Sequence, residues 1–198
     1  MDFRLNFLKE EKIGEWEISS FEIDEFYAKV RNLFIKNPLM KLESGIYKKL
    51  TNKNGIVMSN TPMEQKTHIK AINNAHGNVL VAGLGLGMYL YNIKDKKNIE
   101  SITVVEYSNE VIQIVGKYFK EYDKIKIIND NIFDYIPNIK YDFAFFDIWS
   151  DISEENRKEF QILKEKFSEI KEIICWSEDI LDIDKILMKK EIEWKKYY

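Results

Sequence analysis

The chain has one cysteine, three prolines and two histidines among 198 residues. A single thiol excludes an internal disulfide. Cys175 sits in the apolar run Ile173-Ile174-Cys175-Trp176 and reads as a small buried residue. So few histidines and cysteines leave a zinc cluster without ligands, and no metal is expected. No stretch approaches the roughly 18 apolar residues of a membrane span. The start, Met1-Asp2-Phe3-Arg4, lacks the basic region and apolar run of a secretory signal. A soluble, cytoplasmic protein is the expectation. Charge of one sign is also scarce: 30 basic residues face 33 acidic ones. Without a global basic field, neither a nucleic acid nor a membrane is an expected partner. The dense mixed charges read as solvated helix faces.

Apolar residues make up 45% of the chain, enough for a sizeable core. The length suits one main domain with a small appendage. Phe3, Leu5 and Phe7, then Trp16 and Ile18, alternate as short edge strands would. From Asp24 to Ile35, Phe26, Val30, Leu33 and Phe34 have helical spacing, and Asn37-Pro38 stops the pattern. Ile46–Leu50 and Gly55–Met58 flank the turn-rich Thr51-Asn52-Lys53-Asn54 and predict a hairpin. Thr61-Pro62-Met63-Glu64 then predicts a helix start: Thr61 as cap, Pro62 in the first turn, Glu64 closing a capping box. That helix runs to about Ala75.

From residue 78 apolar strands and helices alternate. Strands are predicted at Val79–Ala82, Ile102–Val105, Ile125–Ile128, Tyr141–Phe146 and Ile173–Trp176. The intervening helices begin after the glycine loop, at Ser108 and after Ser153. A further helix is predicted from Ile180 to about Lys190, with Ile192–Tyr198 as a last strand. Continuous apolar strands separated by helices imply a parallel sheet covered on both faces. The expected class is α/β. It is a Rossmann-like, mostly parallel sheet with helices on both faces, plus a small N-terminal β-hairpin and helix extension. Residues 1–76 form the extension and 77–198 the main domain, shortened at its C-terminal end.

Gly83-Leu84-Gly85-Leu86-Gly87 lies between the first of these strands and a helix. Such a bend needs positive φ, and bare backbone lets a ligand approach. Open parallel sheets hold ligands at the carboxyl ends of their strands. The spacing is Gly-x-Gly-x-Gly, whereas a dinucleotide fingerprint requires Gly-x-Gly-x-x-Gly; Met88 departs from it. Glu106 ends the second strand about 20 residues on, where an acid can accept from both ribose hydroxyls. Asp130 and Asn131 follow the third strand, and Asp147 the fourth. Each of these also has a plain reading as a turn or cap residue.

These segments resemble the spermidine synthase-like branch of the class I S-adenosylmethionine-dependent methyltransferase superfamily. The likeness lies in Val79–Gly87, Val104-Val105-Glu106-Tyr107-Ser108, Ile127-Ile128-Asn129-Asp130, and Tyr141–Phe143 with Phe145–Asp147. It implies S-adenosylmethionine or its decarboxylated form as cofactor. Gly83, Gly85, Gly87, Glu106, Asp130 and Asn131 would bind it, and Asp147 would be the catalytic base or amine anchor. Trp149, Tyr89 and Asp151 are candidate substrate contacts. A small-molecule acceptor, with an amine as one option, and a homodimer follow by analogy. The chain departs from polyamine synthases at Leu86, where they carry an aspartate, and at Ser150, where they carry a second acid. Three readings stay open: a methyltransferase, an aminopropyltransferase, and a non-catalytic nucleoside-binding or assembly protein. A side chain plugging the glycine bend, or Glu106 turned away from it, would undo the first two.

Overall fold

A computed structural model describes residues 1–183 and 185. The N-terminal part is an antiparallel sheet of four strands in sequence order: β1 (Glu11–Ile13), β2 (Trp16–Ile23), β3 (Gly45–Asn52) and β4 (Gly55–Ser59). It is larger than the expected hairpin. β2 pairs with β3 over seven positions, from Glu17↔Thr51 to Ile23↔Gly45. Residues 3–7 do not form a strand; Leu5 takes φ 53 in a turn and is buried.

α1 (Glu25–Leu33) joins β2 to β3 and is capped by Asp24, which accepts from the Tyr27 N–H at 2.8 Å. Its spacing is amphipathic, but the stripe does not enter the core. Phe26, Leu33 and Phe34 are 78%, 81% and 79% exposed, and Ala28 is the helix's one buried residue. Periodicity reports a face, not what covers it.

α2 (Pro62–Asn74) leads into the parallel sheet. Five strands follow: β5 (Gly77–Ala82), β6 (Ile99–Glu106), β7 (Ile125–Asn129), β8 (Phe143–Phe146) and β9 (Glu172–Cys175). Their spatial order is β7-β6-β5-β8-β9, and every neighbouring pair is parallel. The chain therefore reverses its direction of travel between β5 and β8, which opens a crevice at the carboxyl ends of those two strands. Phe143 to Phe146 are all buried, as a strand covered on both faces requires. The connecting helices are α3 (Met88–Ile93), α4 (Asn109–Val115) and α5 (Asn156–Lys166). Ser108 caps α4 by accepting from the Val111 N–H. Cys175 is buried as expected, and that burial pushes its thiol up to about 12. Positions 178–183 are helical; the remainder of the helix predicted to Lys190, and the strand predicted at Ile192–Tyr198, lie outside the described residues.

Candidate active site

The ends of β5, β8 and β6 are locked together through backbone. The Asp147 N–H donates to the Ala82 carbonyl at 2.8 Å, and the Gly83 N–H to the Val105 carbonyl at 2.9 Å. Gly83 has φ 91, and a Cβ there would lie 2.0 Å from the Asp147 carbonyl oxygen. Only glycine lets the loop cross this close to the neighbouring strand.

Glu106 turns back onto the loop. One carboxylate oxygen accepts from the Leu84 N–H at 2.7 Å and the other from the Ser108 N–H at 2.8 Å. Burial pushes its pKa above the ordinary carboxylate range, while these N–H groups pull it back. A carboxylate has about four acceptor positions, so each oxygen retains capacity for a hydroxyl. Asp130 follows β7 and donates its N–H to the Glu106 carbonyl at 3.1 Å. Its carboxylate accepts from the Asn131 N–H at 2.7 Å, and the Asn131 side chain accepts from the Phe133 N–H at 3.1 Å.

A cavity of about 410 Å³ runs across these groups, within the range of small-molecule pockets. One side is formed by Gly83, Gly85, Glu106, Asp130, Asn131 and Phe133. The other carries Asp147, Ile148, Trp149, Trp176 and Glu64, and the antiparallel sheet supplies Trp16, Leu50, Val57 and Met58. The structure thus brings Gly83, Gly85, Glu106, Asp130, Asn131, Asp147 and Trp149 to one wall system. Gly87 stands apart as the left-handed cap of α3, packed against Phe119. Tyr89 is a correction. It is buried, its ring lies 4.5 Å from that of Phe145, and its hydroxyl donates to the Ala71 carbonyl. It belongs to the core because α3 is apolar on nearly every side. Asp151 is exposed and does not line the cavity, because the chain leaves the crevice after Trp149. Trp149 itself donates to Glu159 at 2.6 Å and packs edge-on against Phe160.

Met58 lies against the glycine bend. Its sulfur accepts from the Leu86 N–H at 3.3 Å, and a Cβ at Gly85 would meet it at 2.4 Å. The bend is thus covered on one side by a flexible thioether, yet Gly83 and Gly85 still line the cavity. Leu86 is fully buried in the core.

Three titratable groups meet at the other end. His68 Nε2 lies 3.0 Å from Asp147 Oδ2, and His68 Nδ1 lies 2.7 Å from the Glu64 carbonyl oxygen. A carbonyl only accepts, so Nδ1 carries a proton. Burial opposes a charged imidazole, but the Asp147 carboxylate and Glu64 together outweigh it, and the pKa of His68 is raised above its ordinary value. Glu64 is the second correction. It closes no capping box with Thr61, which makes no side-chain cap bond. Its carboxylate instead accepts from the Ser59 N–H at 3.0 Å and the Ser59 hydroxyl at 3.4 Å. Burial pushes it up to about 7. Sequence reading gave His68 no role, although Glu64 and His68 stand four apart on one helix and so share a face.

No protein-family model matches the chain, and no curated protein matches it. Solved structures match at low identity. One is DhpI in complex with SAM and HEP: 18% identity, TM-score 0.40, over 52% of this chain and 47% of that one. Another is the 23S rRNA methyltransferase ErmE, at 14% identity and TM-score 0.44 over 56% of this chain and 46% of that one. A third is the N-methyltransferase NodS from Bradyrhizobium japonicum WM9, at 15% identity and TM-score 0.41 over 54% of this chain and 61% of that one. The chain therefore spans about half to three fifths of the length of these structures, and the likeness does not extend to what any of them acts on.

Proposed function

We propose that this chain is an S-adenosylmethionine-dependent transferase, most simply a methyltransferase acting on a small acceptor. The observation that carries this reading is the position of Glu106. Its carboxylate is folded back onto the glycine loop at the wall of a cavity that opens at the β5/β8 reversal. The residues fit an adenosine ligand: Glu106 for the ribose hydroxyls, Asp130 and Asn131 beside the base, and Phe133 as an apolar wall. When bound, the cofactor supplies an alkyl group already activated by a sulfonium. What remains for the protein is to position the acceptor, exclude water and remove a proton. Trp149 and Trp176 exclude water. Asp147, held in place by His68, lies on the cavity wall and anchors a cationic or hydrogen-bond-donating group of the acceptor there.

The aminopropyltransferase reading is favoured by one observation. The Leu84 N–H is taken by Glu106 and the Leu86 N–H by Met58, so the loop has little to offer a carboxylate tail. A decarboxylated cofactor would not need those groups. Calorimetric titration with S-adenosylmethionine, its decarboxylated form, S-adenosylhomocysteine and methylthioadenosine separates the readings. We expect binding, with replacement of Asp147 by Asn abolishing turnover and sparing cofactor affinity. A strong preference for the decarboxylated form reverses the order of the two readings. Binding of none of the four overturns both and leaves a non-catalytic fold.

A further inference from the structure

We propose that Glu64 takes the proton released by the acceptor's attacking N–H or O–H, through its carboxylate oxygen Oε2. The inference rests on the transferase reading and adds to it a base that is distinct from Asp147.

Glu64 is 8% exposed and is one of the residues that line the cavity. Oε1 is held by both the N–H and the hydroxyl of Ser59. No hydrogen bond reaches Oε2 among the described residues, and Glu64 lines the cavity. A carboxyl this largely buried, with one oxygen unpaired, is costly unless a ligand or solvent meets that oxygen in the working protein. Nothing on the neighbouring elements neutralises it completely. His68, one turn on in α2, is already paired with Asp147 at the end of β8, and β4 presents only the neutral Ser59. The Asp147 charge adds to burial in disfavouring the anion, while His68 favours it. The carboxyl therefore titrates at about 7, where a base is half free and still strong enough to accept a proton. Asp147 is less free for the same task, because its Oδ2 is already engaged by His68 Nε2 at 3.0 Å.

The step balances without a further reagent. The acceptor's lone pair bonds the alkyl carbon of the sulfonium donor. The carbon–sulfur bond breaks with its electron pair going to sulfur, which becomes a neutral thioether. The acceptor's proton passes to Oε2 and from there to solvent.

Two measurements test this. The first needs no acceptor: infrared titration of the C=O stretch of protonated carboxyls, in the parent protein and in Glu64→Gln. We expect a band that titrates near neutral pH in the parent and is missing in the variant. A parent protein without such a band overturns the proposal. The second is single-turnover transfer from methyl-labelled S-adenosylmethionine to a small-molecule extract of the source organism. The expected result is a rate that rises through neutral pH in the parent and falls about 100-fold in Glu64→Gln. Glu64→Asp should restore part of it, with S-adenosylhomocysteine affinity unchanged throughout. Full activity in Glu64→Gln overturns the inference and leaves the transferase reading standing. No transfer by the parent protein from either S-adenosylmethionine or its decarboxylated form overturns both.

Discussion

His68 and Asp147 are joined at 3.0 Å across 79 positions of sequence, and the imidazole in that contact is completely enclosed. The pair ties α2 to the end of β8, so it holds together the two segments that bound the acceptor end of the cavity. Removing one partner strands the other's charge or donor in a dry place, at a cost of about 3 kcal/mol. His68→Phe should lower the unfolding free energy measured by urea titration by that order, and Asp147→Leu should do the same. The double variant should lose much less than the sum, giving a coupling above about 1 kcal/mol. Additive losses would mean the contact carries no energy.

Glu64 makes stability depend on pH in a definite direction. Its folded pKa, about 7, lies above the unfolded value near 4.5, so folding favours the protonated form. The associated stability is complete below about pH 4.5 and is lost as pH rises to 7 and beyond. A difference of this size corresponds to about 3 kcal/mol. His68, whose pKa is also raised, acts in the same sense. The folding free energy of the parent protein should therefore fall between pH 5 and 8, and Glu64→Gln should flatten that fall. An unchanged slope in the variant would place the titration elsewhere.

Glu106 supports the loop and, in the proposed reading, grips the ribose. Glu106→Ala removes acceptors from the Leu84 and Ser108 N–H groups as well as from the ligand. Affinity for S-adenosylhomocysteine should drop by roughly 100-fold, the loss of about two charge-assisted bonds. Calorimetry on the refolded variant measures it directly. Undiminished affinity would place the ribose elsewhere in the cavity.

The parallel sheet was legible because buried strands leave continuous apolar runs such as Phe143–Phe146, and turn residues bracket them. The glycine loop, Glu106, Asp130 and Asp147 could be placed in order for the same reason: each follows a strand that the pattern identifies. His68 and Glu64 were opaque. Their meaning lies in a partner at the end of β8 and in a β4 serine, and no local signal encodes either contact. Glu64 also satisfies a local rule, the capping box, that tertiary structure then declines to use. Tyr89 was misplaced because an aromatic beside a glycine loop has the same sequence signature whether it faces ligand or core. The α1 stripe shows the same limit from the other side: Phe26 and Leu33 have the spacing of core residues and remain in solvent.

The glycines of the loop differ in what confines them, and substitution should reveal it. At Gly83 a methyl group would meet the backbone oxygen of Asp147 at 2.0 Å, with φ 91 already unfavourable for an L-residue. That oxygen cannot retreat without unzipping β8 from β5, where Ala82 pairs with Phe146. Strain and overpacking together should cost Gly83→Ala about 3 kcal/mol or more. At Gly85 φ is 50, inside the left-handed region, and the obstacle is the sulfur of Met58 at 2.4 Å. The end of a methionine side chain can swing aside, so Gly85→Ala should cost about 1–2 kcal/mol. Adding Met58→Ala should relieve the clash portion of that loss, whereas in the Gly83→Ala background it should relieve none. Thermal and urea unfolding of the four variants gives the comparison. If Gly83→Ala proves no worse than Gly85→Ala, the strand ends are not locked as the backbone distances indicate.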